Sequence, residues 1–369
     1  MNEIVRGKNR IDFWLLGLTY GLLLVGLLAI YDATPIAALR NFGDKLYFFK
    51  NQLTWIGIGT VALTFFSFFD YHKLIKHSSL FLGATVVLLF VVLIPHIGTQ
   101  IYGARRWINI GSFNFQPSEV AKLSLAFYST AIMVKLQDFK IKLFDMIIVY
   151  FLPVIVVVGL VTIEPDLGTA LILLAIAAAV YFVGRAPIWH FLISIPFAVA
   201  AAVGSILVQP YRLTRLKSFL DPSFDPQGAS YQINQILSAI TAGGVFGVGI
   251  GASRAKFAFI PEVQSDAILA IIIEELGFLG ALFLIILFMI LIYKALGIAK
   301  EAKDAEGRIL AAGMAAMIAV QSLFNFASVV ALVPLTGIPL PFISYGGSSL
   351  AISLAAVGVL LNISRHTTK

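Results

Sequence analysis

Arg105 and Arg106 stand side by side, next to Trp107, in a chain whose charged residues are sparse. Adjacent guanidinium groups offer planar donor forks that match phosphate oxygens, so this pair is a candidate for binding an anionic group. Glu119 and Lys122 are three residues apart inside an apolar stretch, a spacing that puts both on one helix face. Such a pair is either a structural clamp or a substrate contact. Asp266, Glu274 and Glu275 follow along a later apolar stretch. At 100° per residue Glu274 falls ~80° from the Asp266 direction and Glu275 ~180° from it, so only Glu274 can share a cavity with Asp266. Glu274 reads first as a polar contact inside a bundle and second as a relay or metal contact. Glu164 and Asp166 flank Pro165 and read as a chain reversal.

Several chemistries are absent from the sequence. The 369 residues include no cysteine, which removes disulfides, thiolate nucleophiles and Cys-ligated metals. The five histidines, His72, His77, His96, His190 and His366, show no ligand spacing. No Walker A, HExxH or Ser-His-Asp order is present. The Gly247-Val248-Gly249-Ile250-Gly251 run is not a dinucleotide fingerprint, since no strand precedes it and no acidic residue follows at the right distance.

The elements that must position these residues are membrane helices. Hydrophobic residues make up 59% of the chain and charged residues 12%, with a mean hydropathy of +0.94, where soluble domains carry roughly 25% charge. On the ~20 residues that a helix needs to cross a bilayer, ten spans are expected. They lie near 12–31, 48–69, 77–95, 117–135, 144–163, 167–184, 187–208, 264–294, 306–333 and 342–363. The first is a retained helix, because it is too long for a secretory signal and lacks a small-residue cleavage site.

Fifteen Lys and Arg fall on the side shared by the N-terminus, namely Arg6, Lys8, Arg10, Lys73, Lys76, Lys135, Lys140, Lys142, Arg185, Lys294, Lys300, Lys303, Arg308, Arg365 and Lys369. Five fall in the opposite short loops, Arg40, Lys45, Lys50, Arg105 and Arg106, so both termini are expected in the cytoplasm. The net charge of +7 is therefore a topology signal, and its dispersal over short loops gives no nucleic-acid patch. Residues 209–263 form a long outward loop between the seventh and eighth spans, with turns at Asp221-Pro222 and Asp225-Pro226 and a short amphipathic helix from Ala229 to Ala242. Arg212, Arg215, Arg254 and Lys256 in this loop face either a ligand or the headgroups. The expected fold is a single all-α integral membrane domain over residues 1–369, with a structured exoplasmic cap.

Nearly the whole chain resembles the SEDS family (shape, elongation, division and sporulation). The matching pieces are Gly103-Ala104-Arg105-Arg106-Trp107-Ile108, Gln116-Pro117-Ser118-Glu119 with Lys122, and the stretch from Asp221 onward, with its DPQGASYQ run, through Tyr231-Gln232. Gly243-Gly244 with Gly247-Val248-Gly249, Pro261-Glu262 with Asp266, Glu274-Glu275-Leu276-Gly277, and Gly337-Ile338-Pro339-Leu340-Pro341 running into Ser344-Tyr345-Gly346-Gly347-Ser348-Ser349 complete the series. These stretches resemble the division members, the FtsW proteins, more than the elongation or sporulation members. One departure is Val263-Gln264-Ser265, where division members commonly carry Ala-His-Thr, and it bears on the subtype.

The resemblance implies a peptidoglycan glycosyltransferase that polymerises lipid II on the outer face of the bacterial cytoplasmic membrane. A hydroxyl of one lipid-linked sugar attacks the anomeric carbon of another, and undecaprenyl pyrophosphate leaves. It marks Asp266 as the catalytic base, at a helix N-terminus whose dipole favours the ionised carboxylate; capping that helix, alone or through Ser265, is the competing role. Substrate contacts are then expected from Arg105, Arg106, Trp107, Glu119, Lys122, Lys256, Glu262, Ser344 and Gly346. For the Ser344 to Ser349 run, close packing of small residues is the competing role. The partners implied are lipid II, the nascent glycan strand, a class B penicillin-binding transpeptidase and other divisome membrane proteins, with no nucleic acid. No cofactor is required by the pattern; a divalent cation, Mg or Mn, is the one candidate. A lipid II flippase and a non-catalytic scaffold are the rival functions, the first expected to place ionisable residues near the midplane.

Overall fold

A computed structural model describes residues 11–101, 104–111, 113–136, 143–257 and 263–367. Gly103, Pro261 and Glu262 lie outside the described residues, as do Arg6, Lys8, Arg10, Lys140, Lys142 and Lys369 among the charges used for orientation.

The chain is mostly helical, and helices occupy each stretch where a span is expected. In chain order these are α1 (Phe13–Ala33), the short α2 (Pro35–Phe42), α3 (Tyr47–Phe68), the short α4 (Tyr71–Lys76) and α5 (Ser78–Leu93). After a small sheet come α6 (Pro117–Leu136), α7 (Leu143–Met146), α8 (Leu152–Ile163), α9 (Leu167–Val183) and α10 (Ile188–Val208). Then follow α11 (Pro210–Leu220), α12 (Tyr231–Gly243), α13 (Ile268–Glu301), α14 (Ala305–Val329) and α15 (Gly347–Ser364). Among the described residues five helices are long and apolar enough to cross a membrane: α1, the 144–163 helix, α13, α14 and α15. Helix α15 is the most enclosed of these, and its pairing with α3 uses glycines. A Cβ on Gly358 would sit 2.4 Å from the Leu63 carbonyl, and one on Gly347 2.0 Å from the Trp55 ring. Small residues at such crossings let backbones approach where apolar lipid gives no hydrophobic drive.

Three features depart from a plain helical bundle. The all-α expectation misses an antiparallel sheet, β1 (Gly98–Ile101), β2 (Ala104–Ile110) and β3 (Phe113–Phe115), between α5 and α6. The helix through 143–163 widens into a π-turn at Ile147–Phe151. Pro153 lacks the N–H that would bond the Val149 carbonyl, and the Tyr128 hydroxyl donates to that carbonyl instead, at 2.8 Å.

The third departure is that α13 begins at Ile268, not at 264, and breaks at Gly277, whose φ is +69°. The break frees backbone groups, and the Gly243–Gly249 segment takes them up. Val248 and Gly249 N–H donate to the Glu274 and Glu275 carbonyls at 2.9 and 3.0 Å, while Phe278 and Leu279 N–H donate to Gly244 and Val245 at 2.9 and 3.2 Å. The glycine run is thus a backbone splint for an interrupted helix, which is how irregular backbone is tolerated in a membrane protein.

Candidate active site around Asp266

Asp266 lies in a half-buried turn two residues ahead of α13. The N-cap residue of α13 is Ala267, which makes no side-chain cap hydrogen bond, so neither Ser265 nor Asp266 occupies the cap position itself. The turn is held by the loop between α14 and α15. Tyr345 N–H donates to the Gln264 carbonyl at 2.8 Å, and Gly337, with φ +71°, lies so close that a Cβ there would be 3.4 Å from the Asp266 Oδ2. Glycine is the residue that supplies this φ without strain.

The loop is fixed from α14. Asn325 Nδ2 donates to the Ile338 carbonyl at 2.8 Å and reaches the Asp266 carbonyl at 3.5 Å. One turn earlier, Gln321 Nε2 donates to the Pro339 carbonyl at 3.0 Å and to Ser349 Oγ at 3.1 Å. Ser344 closes the loop on itself, its hydroxyl accepting from Leu340 N–H at 2.9 Å, and Gly346 is the N-cap residue of α15. Ser344 and Gly346 therefore shape the loop beside Asp266 through backbone geometry.

Glu119 and Lys122 form the expected pair on α6. Lys122 Nζ donates to both Glu119 oxygens, at 2.9 and 2.8 Å, and to Gln321 Oε1 at 3.0 Å. Their side chains are 3% and 1% exposed, so these are buried charges that need mutual pairing. With three donors and three contacts, the ammonium is fully engaged inside the bundle.

Arg105 and Arg106 do not act as one clamp. The ladder pairs Arg105 with Gln100 and Trp107 with Thr99, leaving Arg106 as the extra residue of a β-bulge. Bulges re-aim side chains. Arg106 points into the turn between α8 and α9, donating to the Glu164 carbonyl at 2.9 Å and to the Pro165 carbonyl. Arg212 on α11 adds a bond to the Thr162 carbonyl at 2.7 Å, so two cations meet the C-terminal end of α8, where the dipole favours positive charge. Asp166 caps α9 through Thr169 N–H and accepts from Gln116 Nε2 at 3.0 Å. The Glu164 carboxyl is wholly buried, and neither oxygen has a hydrogen-bond partner among the described residues. Burial, then the charge of Asp166, push its pKa up to about 9 against the pull of Arg106. Arg105 and Trp107 are half-buried on β2.

Lys256 enters a third cluster. Its ammonium donates to both Asp32 oxygens at 3.0 and 2.9 Å and to Glu275 Oε1 at 3.1 Å, joining α1, the loop between α12 and α13, and α13 itself. Burial opposes its charge, but the carboxylates of Asp32 and Glu275 prevail and raise its pKa. Glu274 accepts from Ser253 Oγ, Arg254 N–H and Ala255 N–H, the bundle-interior contact expected of it. Glu275, expected on the opposite side from Asp266, also faces a polar partner, because the splint loop wraps that side of the helix.

The structure thus joins Asp266, the 337–344 loop and the Glu119–Lys122 pair into one connected network, with Arg106 and Lys256 in separate clusters. Gln321, Asn325 and Asp32 were not singled out from sequence. The available signal was the presence of amides four residues apart in the apolar α14.

Over residues 13–369 the chain matches the model of the FtsW, RodA and SpoVE family, described as cell cycle protein. It is 40% identical to Stage V sporulation protein E of Bacillus subtilis (strain 168), over 98% of each chain. It is also 40% identical to a probable peptidoglycan glycosyltransferase FtsW of Trichlorobacter lovleyi, covering 99% of this chain and 96% of that one. Among solved structures it resembles a chain from a peptidoglycan synthase complex that coordinates polymerization and crosslinking, with a TM-score of 0.79 and 29% identity over 96% of this chain and 98% of that one. The rod shape determining protein RodA of Thermus thermophilus gives 0.71 and 28%, covering 97% and 98%.

Proposed function

The chain belongs to the SEDS family, the family of FtsW, RodA and SpoVE, and from that premise we propose that its turn at Asp266 is the centre of glycan polymerisation. The protein is a membrane-embedded peptidoglycan glycosyltransferase of cell-wall synthesis. The proposal adds the substrate, lipid II, and the roles of individual residues. The observation that carries it is the place of the Asp266 carboxylate, in the half-buried turn just ahead of α13 and against Gly337 of the loop between α14 and α15.

In this reading Asp266 takes the proton from the attacking sugar hydroxyl as its oxygen bonds the anomeric carbon of the lipid-linked strand. The pyrophosphate leaves with the bonding electron pair. Residues of the outer mouth steady it, Arg105 being the basic side chain of β2 not aimed at the α8 C-terminus. A base so placed supplies on the order of 10²–10⁴-fold in rate. Magnesium or manganese is the candidate co-reactant at the pyrophosphate. Among the described residues no group of three or more His, Asp or Glu is placed to hold a metal.

The rest of the proposal is topological. Ten spans follow from the lengths of the apolar runs, and both termini in the cytoplasm with residues 209–263 outside follow from the charge asymmetry. The subtype proposed is the division one, on the DPQG and SYGGSS stretches, with a sporulation relative matching at the same 40%. The structural relative in a complex of polymerisation and crosslinking supports a class B transpeptidase partner, alongside other divisome proteins.

The decisive experiment supplies purified protein, with and without a transpeptidase, with lipid II in liposomes and follows polymer on gels. Polymer from the wild type is the expected result. Translocated but unpolymerised lipid II would move the reading to a flippase. A tag near Ser223 should be reachable from outside spheroplasts, and one within Ala302 to Glu306 should not.

A further inference from the structure

Gln321 is fixed by its neighbours in a way that leaves no freedom in how its amide is oriented. Lys122 can only donate, so the atom facing it at 3.0 Å is the amide oxygen; the Pro339 carbonyl can only accept, so the atom facing it at 3.0 Å is the nitrogen. The second N–H goes to Ser349 Oγ at 3.1 Å, which uses both donors. Gln321 is 1% exposed, so each of these contacts replaces water entirely. Asn325 repeats the arrangement one helical turn along, its nitrogen on the Ile338 carbonyl at 2.8 Å. The two amides hold consecutive carbonyls, Ile338 and Pro339, of the loop whose Gly337 flanks the Asp266 carboxylate.

We propose that Gln321 and Asn325 are positioning residues for glycan polymerisation, Gln321 tying the buried Glu119–Lys122 pair, and Asn325 tying α14, to the loop that sets the Asp266 carboxylate. This rests on the reading of Asp266 as the base. The physical basis is that a buried polar network specifies one geometry, here through Gln321 with oxygen and both N–H groups engaged and Asn325 through its donors, while a site displaced by about 1 Å loses on the order of 10²-fold in rate. Neither amide touches substrate in this assignment.

The test uses Gln321→Glu, Asn325→Leu and Asp266→Asn in the full-length protein, with lipid II titrated and polymer measured. Glutamate at 321 keeps the side-chain length and an oxygen facing Lys122, and replaces the amide nitrogen that donates to the Pro339 carbonyl and Ser349 Oγ. The expected result is a kcat at least tenfold lower with a KM within about twofold of wild type, in protein that stays monodisperse and retains its Tm within a few degrees. Asn325→Leu keeps the branched outline, with a somewhat larger side chain, and removes the donor; it decides the question if the glutamate variant does not fold. Ser322→Ala, which removes a hydroxyl bonded only within its own helix at the Ile318 carbonyl, serves as the control for mutating α14. Wild-type kcat in folded Gln321→Glu and Asn325→Leu, with Asp266→Asn inactive, would overturn this inference and leave the base assignment standing. A fully active Asp266→Asn would remove the base assignment, and the inference with it.

Discussion

Gly247 and Gly277 pack backbone against backbone. A Cβ on Gly277 would lie 2.4 Å from the Gly247 nitrogen, and one on Gly247 would lie 2.0 Å from the Glu275 carbonyl oxygen. Both residues have positive φ, +81° and +69°. Alanine at either position meets a clash with backbone and a strained conformation, each worth ~1–3 kcal/mol. Gly277→Ala and Gly247→Ala should therefore lower the Tm sharply or abolish monodisperse protein, whereas Gly83→Ala, in open space on α5, should be neutral or slightly stabilising. Thermal unfolding in detergent measures all three, and an unperturbed Gly277→Ala would remove the splint.

That contact marks the boundary of what is legible in the sequence. Apolar runs reveal where helices lie because lipid demands them locally, and α1, α5, α6 and α9 fall within two residues of expectation. The Glu119–Lys122 pair is legible for the same reason, being a spacing within one helix. The break at Gly277 is not, since the apolar pattern of α13 continues straight through it and its backbone partners lie about thirty residues upstream. The strands of the 98–115 sheet are short, and a loop holding two arginines and a tryptophan invites a ligand reading before a bulge. Gln321 meets Lys122 across 199 residues, a pairing no periodicity announces.

Lys256 gives a prediction that separates a clamp from a substrate contact. Its side chain is 10% exposed, and its partners Glu275 and Asp32 are 8% and 27% exposed. Lys256→Met leaves two carboxylates uncompensated, which should cost about 3–5 kcal/mol, as breaking buried pairs does. Adding Asp32→Asn and Glu275→Gln neutralises the cluster and should restore the Tm and most polymerisation. A triple variant that is stable but inert toward lipid II would return Lys256 to the substrate site.

Glu164 makes stability depend on pH. Its folded pKa, pushed to about 9 mainly by burial, is above the ordinary carboxylate value, so the folded state binds the proton more tightly than the unfolded state. The stabilisation is complete below the unfolded pKa, near 4.5, and is lost as pH rises toward 9. Glu164→Gln, a permanent mimic of the protonated acid, should raise the Tm at pH 8 by several degrees and leave it nearly unchanged at pH 5. Equal shifts at both pH values would mean that Glu164 is ionised in the folded protein.

Asp266 carries the prediction on which the function turns. Asn at this position keeps the shape of the side chain and its backbone contacts with Asn325, but cannot take up a proton at neutral pH. Because the N-cap residue of α13 is Ala267, the substitution leaves the cap position unchanged, and the Tm should stay within a few degrees of wild type. Polymerisation should fall by ~10²–10⁴-fold. Co-purification with a transpeptidase should persist, since the change sits in a half-buried turn held by Tyr345 and Gly337, not on an outer surface. Polymer yield, Tm and transpeptidase co-purification on this one variant distinguish the outcomes. Lost polymer with the other two intact assigns the base, all three lost together assigns a structural role, and full polymer in folded protein sends the search for the base elsewhere.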